Sequence, residues 1–541
     1  MDLTGGPRAR ALEVADTVVE GDRWEVSLWV QGEGAPPQMQ LDGREVRGCT
    51  RHGDAVVCRF VGLRQGEHLL EVKGGPRVWA RVGPWDWRDA VVYLVIPDRF
   101  RDGDPTNNGG AEYDRRSPLA RHGGDLAGLR EGLPYLQELG VNVVWTTPAV
   151  ANVVGGSIYQ GQVHRGFHGY WPERLEEVDA HLGTEAQLRA LAADLEQAGG
   201  RLIMDVVVNH LGYGAAEASD PALVRTPCPP KEESDDVTGC LFGLPDLRTE
   251  DERVAIRVKA AAARWVSPER GAHGVRLDAA KHVERPFLEA VGAAVRAQRP
   301  GAVVVGEVWG AVPADPAHDV WFEEGGVDGL YDFGFVGEAL GFVTGRARPQ
   351  AVARALERRM RGAEKPGRYW LHYLDTHDTP SFLHRVGDPR KMRLATTLML
   401  TVWGVPVIFS GDEVGRLASE WPHNRPDLPA PAVWDRKTLA HHQRAIELRR
   451  RHPALSRGAH RTLHAAGDLL VFLRWWTDPS GAVADAAIVA LNRSETAPAR
   501  VDLPIPPELS AAPPMQGLSA EDDHIRLDVP PLDAVVITSI R

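Results

Sequence analysis

The sequence has no run of about twenty consecutive apolar residues, so no membrane-spanning helix is expected and no membrane partner. Its opening stretch, MDLTGGPRARALEVADTVVE, lacks the apolar core of a secretion signal. Positive charge is in short supply. Lys and Arg number 62 against 74 Asp and Glu, a formal net charge of -12, and no strong basic patch stands out. A nucleic-acid partner is therefore not expected. Cysteine is scarce as well, with four in the chain. Cys49 lies near Cys58 and Cys228 near Cys240, and neither pair has the CxxC spacing of a zinc site. Two local disulfides in an exported protein fit this pattern, and so do four free thiols in a cytosolic one. An extracellular or periplasmic location is the expectation, with a cytoplasmic one as the alternative.

What is present is apolar surface in quantity. Of 541 residues, 43% are hydrophobic, enough for a large core and more than one domain. Sixteen Trp offer flat faces that suit sugar rings as well as core packing. Residues 1–85 read as an N-terminal β-sandwich, with short, partly alternating runs such as RWEVSLWV and AVVCRFV between turns. From Val91 onward, buried strands alternate with amphipathic helices. The strand runs are AVVYLVIPDRF, VNVVWTTP, RLIMDVVVNH, HGVRLDAA, AVVVGEVW, GLYDF, LHYLDTHD and VPVIFSGDE. Eight strands buried on both faces predict a central (β/α)8 TIM barrel over 86–455, a doubly wound sheet being the alternative. Helices are predicted for 126–139, 184–199, 254–266 and 285–298, with the last barrel helix near 441–451. The Pro-, Gly- and Asp-rich stretch 211–250 reads as a small inserted B domain after the third strand. A C-terminal β-sandwich, antiparallel, is predicted for 456–541, with one face on the barrel.

Four acidic segments come in a fixed order: DVVVNH (205–210), GVRLDAAKH (274–282), GEVW (306–309) and LDTHD (374–378). Each follows or contains an apolar run, which puts Asp278, Glu307 and Asp378 at strand ends. Cleaving an acetal needs a carboxylate at the anomeric carbon and a protonated acid at the leaving oxygen. Adjacent barrel strands can supply the roughly 5–5.5 Å gap of a retaining pair. Arg276, two residues before Asp278, shares its strand face and would hold that carboxylate ionised as a nucleophile. Val308 and Trp309 make an apolar neighbourhood that would raise Glu307 and suit it to general acid work. Asp378, after His377, would bind hydroxyls of the strained ring. A lone Asp at a strand end is more often a turn or a cap. The joint order of four segments favours chemistry.

These segments resemble the four conserved regions of the α-amylase superfamily, glycoside hydrolase family 13. DVVVNH resembles the first, with Asp205, Asn209 and His210, Asp205 being a support for Arg276. GVRLDAAKH resembles the second, with Arg276, the nucleophile Asp278, Lys281 and His282. GEVW resembles the third, with the general acid/base Glu307. LDTHD resembles the fourth, with His377 and the transition-state stabiliser Asp378. LPDLR (244–248) resembles a fifth signature of the family. In FHGYW, His168 and Tyr170 match residues lining the -1 sugar subsite, by a hydrogen bond and by ring stacking respectively. Arg425, in PHNRPD, matches an arginine near the donor sugar. Lys281 and His282 would reach the acceptor side. Two positions depart from the family pattern: Thr376 where Asn is usual, and Ser381 where several amylases carry Arg. The departures put the substrate, not the reaction, in question.

Metal ligands follow from residues and resemblance together. Asp102, Asp104, Asn107 and Asn108 crowd one turn, DGDPTNN, at an oxygen density that suits calcium or an ordinary Asx-rich loop. The resemblance to cyclodextrin glycosyltransferases and maltogenic amylases completes that set with the Gly123 carbonyl and Asp125, implying one structural Ca2+. It implies a second between barrel and excursion, on Asn209, Asp246 and the His282 carbonyl. The N-terminal module loosely resembles those of maltogenic amylases, neopullulanases and cyclomaltodextrinases, where it helps form a dimer. A monomer or a homodimer is expected. LPDLR is nearer to α-amylases and cyclodextrin glycosyltransferases. The resemblance implies hydrolysis of α-1,4-linked glucans (starch, maltodextrin or cyclodextrin) to maltose or short maltooligosaccharides, with some transglycosylation. The alternatives are a cyclomaltodextrinase or neopullulanase, a 4-α-glucanotransferase, and a non-catalytic carbohydrate-binding protein.

Overall fold

The computed structural model describes residues 12–30, 37–46, 48–63, 66–159, 161–228, 236–313, 315–363, 367–478, 480–510, 512–518 and 523–540. Eight parallel strands close into a barrel in chain order: β1 (Val92–Val95), β2 (Val143–Thr146), β3 (Arg201–Val207), β4 (Gly274–Asp278), β5 (Val303–Gly306), β6 (Gly329–Tyr331), β7 (Tyr369–Tyr373) and β8 (Val405–Phe409). Every residue of β1, β2, β5 and β8 is buried, which is why these segments read as unbroken apolar runs. Alternate side chains part to two sides. Val92, Leu94, Trp145, Ile203, Val305 and Tyr373 fill the bore, while Tyr93, Val95, Val144, Met204, Val304 and Ile408 meet the surrounding helices.

The helices start where the sequence provides caps. In α1 (Glu185–Gln197), Thr184 and Gln187 form a reciprocal capping box. Asp251 caps α2 (Glu252–Arg264), and α3 (Arg285–Gln298) carries Pro286 in its first turn. Asp388 caps α4 (Pro389–Thr401), and Asp435 caps α5 (Arg436–Arg451). The last barrel helix therefore begins five residues before the expected position, at the Asp cap. The helix expected over 126–139 is two helices, Leu126–Glu131 and Leu133–Leu139, separated at Gly132. A Cβ there would lie 2.3 Å from the Phe100 ring, so only glycine fits.

The N-terminal module is a pair of four-stranded antiparallel sheets around its own core of Trp24, Val26, Leu28, Met39, Val56 and Leu70. The C-terminal strands form a four-stranded and a two-stranded antiparallel sheet. One face of the larger sheet, with Leu470, Phe472, Val489 and Leu491, belongs to the barrel's outer core, while Val471, Leu473 and Ile488 pack on Ile525 and Leu527. Both cysteine pairs, Cys49–Cys58 and Cys228–Cys240, are joined as disulfides. Among the described residues no helix is long and apolar enough to cross a membrane.

Two excursions rise over the C-terminal ends of the strands. The expected one, 211–250, contributes Leu211, Leu223, Val224 and Leu247 to the core and is stapled by Cys228–Cys240. The other follows β2 and holds the hairpin Ser157–Tyr159/Gln162–His164 and the pair Val150–Asn152/Pro172–Val178. The FHGYW motif lies here, among strands only three to seven residues long that the sequence does not predict.

Candidate active site

Parallel register aligns the acidic segments at the barrel mouth. Asp205 of β3 stands opposite Arg276 of β4, and Arg276 opposite Val305 of β5, two residues before Glu307. Arg276 is almost fully buried and is shared by three carboxylates. Its Nη1 donates to Asp205 at 2.8 and 2.9 Å and to Asp278 Oδ1 at 2.7 Å. Its Nη2 lies 2.7 Å from Glu307 Oε1. The Ala279 N–H donates to the other Glu307 oxygen at 3.0 Å, and the Tyr170 hydroxyl donates to Asp205 at 2.8 Å. Thus Asp205 is a buried support, while Asp278 and Glu307 face each other across one guanidinium.

Electrostatics follow from that sharing. Burial pushes Glu307 up to about 7 against the pull of Arg276, as its apolar setting predicts. Burial also pushes Asp278 up to about 7, with Arg276 opposing it and Asp205 and Asp378 adding repulsion. Arg276 pulls Asp278 toward its ionised form, as expected of it, but burial outweighs that pull. Both carboxylates, beside each other and Asp205, are thus held above their ordinary range by burial. Acetal cleavage needs one base and one acid at such a place.

Asp378 behaves oppositely. Burial works to raise it, but His377, Arg425 and Arg276 outweigh burial and leave its carboxyl below the usual carboxylate range. His377 Nε2 lies 3.2 Å from Asp378 Oδ2, and Arg425 Nη2 donates to Oδ1 at 2.8 Å. Arg425 Nε and the Asn424 amide both donate to the His377 carbonyl. Thr376, at the position of departure, accepts the Asp378 N–H at 3.2 Å and so closes the turn that aims Asp378. Ser381 caps the helix Phe382–Val386, which explains a small residue there. Asp375 was given no role by the sequence reading. It is fully buried, accepts from Arg416 and from the Phe382 N–H, and anchors the same turn.

The remaining residues divide between the cleft and its supports. Tyr170 stacks on His377 with ring centroids 5.3 Å apart, so one face of its ring is already taken. His168 accepts the Tyr170 N–H on Nδ1 and is held neutral by burial and by Arg425. His210, expected to bind substrate, is buried, with one ring nitrogen on the Tyr170 carbonyl and the other on Asn209. It positions Tyr170 through that carbonyl contact. Lys281 reaches Asp236 of the excursion at 3.1 Å, and His282 Nδ1 donates to the Asp236 carbonyl at 2.7 Å. Trp145, Tyr331, Phe333 and Tyr373 wall the hollow that holds Glu307 and Asp378. Two exposed aromatics were not singled out as platforms: Trp309, half exposed beside Glu307, and Phe242, 83% exposed on a left-handed backbone (φ 53) in the excursion. A bare aromatic on a strained turn is a signal only coordinates reveal.

The two expected metal turns differ. At the first, Asp102 Oδ1, Asn107 Oδ1 and Asn108 Oδ1 are buried with no hydrogen-bond partner. A Cβ on Gly123 would meet Asn108 Oδ1 at 2.5 Å, so glycine is needed for this close approach. Asp125 instead caps the helix Leu126–Glu131 and accepts the Gly103 and Asp104 N–H groups, and Asp104 accepts the Thr106 N–H. In the same turn Asn108 Nδ2 donates to the other Asp102 oxygen at 2.5 Å and Asn107 Nδ2 to Asp125 at 3.0 Å. At the second turn the oxygens also accept N–H groups, here including a guanidinium. Asn209 Nδ2 donates to Asp246 at 3.0 Å and to the His282 carbonyl at 2.8 Å, and Arg225 Nε donates to Asp246 at 2.6 Å. Arg225 is also bidentate to Glu250. The Asp246 carboxylate there has a guanidinium as its charge partner.

A parallel barrel with two acids raised by burial around one arginine and a third held ionised at its mouth defines a glycoside hydrolase. The chain matches the model of the alpha amylase catalytic domain over residues 94–222 and 238–435, more than half its length, and it belongs to that family. It is a hydrolase of α-1,4-glucosidic bonds. It is 29% identical over 443 residues to neopullulanase 2 of Thermoactinomyces vulgaris, covering 76% of this chain and 70% of that one. It is 26% identical over 434 residues to a cyclomaltodextrinase of Thermoanaerobacter pseudethanolicus, covering 75% of this chain and 70% of that one. Among solved structures, an Anoxybacillus alpha-amylase superposes with a TM-score of 0.72 at 25% identity, covering 84% of this chain and 98% of that one.

Proposed function

We propose that the protein is a retaining hydrolase of cyclic and short α-1,4-glucans, of the cyclomaltodextrinase or neopullulanase kind. Asp278 attacks the anomeric carbon. Glu307 protonates the leaving oxygen, then deprotonates the water or sugar hydroxyl that releases the glycosyl-enzyme. Asp378 holds ring hydroxyls as the oxocarbenium-like state forms. The observation that carries the chemistry is the sharing of Arg276 by Asp205, Asp278 and Glu307. The substrate class rests on the β-sandwich ahead of the barrel and on the names of the relatives it resembles. LPDLR favours a second reading, endo-hydrolysis of starch. Initial rates on β-cyclodextrin, pullulan and soluble starch separate the two. Preference for cyclodextrin over starch is expected, and faster starch cleavage would return the protein to the plain amylase reading.

The first turn fits a structural calcium ion held by Asp102, Asn107 and Asn108, with the Gly123 carbonyl beside them. Bound there, the ion supplies charge and coordination that tie the turn to the helix Leu126–Glu131. The two disulfides support an extracellular or periplasmic location.

A further inference from the structure

Asp378 is carried by the loop between β7 and the helix Phe382–Val386. A side chain on a loop is aimed only as well as the loop is clamped. Asp375 is the clamp. One of its oxygens accepts the Phe382 N–H and joins the two ends of the loop. Within it the Thr376 N–H donates to Thr379 Oγ1 at 3.2 Å.

The other Asp375 oxygen belongs to a trio with Asp412 and Arg416, which come from the turn after β8. Arg416 Nη2 donates to Asp375 Oδ1 at 3.1 Å and to Asp412 Oδ1 at 2.9 Å. The two carboxyls also hydrogen-bond each other. All three side chains are at most 5% exposed. Among the described residues Arg416 Nε and Nη1 have no hydrogen-bond partner, so one nitrogen serves both acids. Gly411 makes room for this arginine, since a Cβ there would lie 2.7 Å from Arg416 Cδ. Ser381 ties the same turn to the loop. Its N–H donates to the Ala418 carbonyl at 2.9 Å, and its hydroxyl accepts the Ala418 N–H at 3.0 Å. A second route reaches His377: the Arg416 guanidinium lies 4.3 Å from the Phe409 ring centre, and Phe409 stands edge-on to His377 at 6.4 Å.

Two ionised carboxyls against one guanidinium would leave a surplus negative charge in the interior. Glu413 is buried next in the chain, on the Tyr93 and Tyr135 hydroxyls, and Arg385 adds a weaker pull on Asp375. An unbalanced buried charge is costly, and a hydrogen bond between two carboxyls needs a proton. Burial first, and then the Asp375 carboxyl, hold Asp412 well above the usual carboxylate range against the pull of Arg416.

We propose that Asp412 and Arg416 are positioning residues for glucan cleavage, aiming Asp378 through Asp375 by way of one proton held between the two carboxyls. This rests on the role given to Asp378 above. Steady-state kinetics on a soluble maltooligosaccharide test it. Asp412→Ala is expected to lower kcat about tenfold or more with little change in KM, because what it misplaces acts in the transition state. Asp412→Asn, which keeps an N–H donor for Asp375 without a charge, is expected to restore most of that loss. Glu413→Gln, on the same turn but bonded to the two tyrosines, is expected to lower the melting point without lowering kcat. The proton has its own readout. Unfolded Asp412 ionises near its ordinary value of about 3.9, while the folded side chain keeps its proton. The parent therefore loses stability as pH rises, and Asp412→Asn has no such loss. The melting point of Asp412→Asn should gain on that of the parent from pH 5 to 8. A constant gap overturns the proposal, as do a parent-like kcat in Asp412→Ala, no restoration by Asp412→Asn, or an equal kcat loss in Glu413→Gln. Asp378→Asn is expected to be inactive. Full turnover in that variant would end the role of Asp378 and this proposal with it, whereas a parent-like Asp412→Ala beside an inactive Asp378→Asn strikes this proposal alone.

Discussion

The barrel mouth and the turn at residues 102–108 both gather buried acidic or carboxamide oxygens, and they balance them differently. At the mouth, three carboxylates share the Arg276 guanidinium. At the turn, Asp102 Oδ1, Asn107 Oδ1 and Asn108 Oδ1 are buried without a hydrogen-bond partner, while Asn108 Nδ2 donates to the other Asp102 oxygen. Between these extremes stands the Asn209–Asp246 corner, which has taken Arg225 as its cation. A cation supplied by the chain is fixed in place and always present. A cation drawn from solvent is exchangeable, and stability then depends on its concentration.

The largest break in this comparison should come from the mouth. Asp278→Asn is expected to lower kcat on the order of 10⁴-fold with glucan binding retained, since it removes the attacking group. Near-normal turnover in that variant would end its assignment as nucleophile. Glu307→Gln is expected to cost roughly 10²–10⁴-fold, with most rate restored on substrates whose leaving group needs no proton. The pH profile sharpens the point. Burial raises both Asp278 and Glu307 to about 7, so kcat/KM of the parent should be bell-shaped, falling on the acid side as the nucleophile takes up a proton and on the alkaline side as Glu307 loses its own. A profile flat from pH 5 to 9, measured on a soluble oligosaccharide, would contradict these roles.

The fixed and exchangeable cations can be told apart by stability. Arg225→Ala leaves Asp246 buried without its charge partner and is expected to cost about 3–5 kcal/mol, a loss that calcium does not restore. Recovery of that variant by calcium, read in thermal unfolding, would mean the corner is a metal site after all. Chelation of the parent is expected to lower stability by about 2.7 kcal/mol for an ion present at 100 times its dissociation constant. Asp102→Asn should abolish the chelator response. The smallest effect belongs to Thr376→Asn. Asn and Thr both close such a turn through a side-chain oxygen, so activity should change less than about tenfold.

Much of the fold was legible because the barrel strands are buried on both faces and their runs leave no ambiguity of period. The mouth was legible because four short motifs carry it. Arg225 was not, since it sits in an irregular segment and meets Asp246 and Glu250 only after the excursion folds back. The break at Gly132 was hidden for a similar reason. Its cause is the ring of Phe100, thirty-two residues earlier in the chain. The excursion after β2 escaped because three of its four strands are only three residues long and have no periodicity to detect. The rise in Asp278 escaped because spacing shows a neighbouring arginine but not how many acids compete for it.

The two flanking β-modules are attached in unlike ways, and this bears on what can be cut away. The N-terminal module has a core of its own and meets the barrel through the buried Arg450–Glu67 pair, the Arg77–Glu447 pair and Trp79, whose ring lies under the Arg450 guanidinium. Cutting it away would leave Arg450 buried without its charge partner. The C-terminal sheet shares Leu470, Phe472, Val489 and Leu491 with the barrel's own core. A protease or a premature stop codon that removed it would strip the barrel helices of their cover, and catalysis would be lost by aggregation at residues that never approach a sugar.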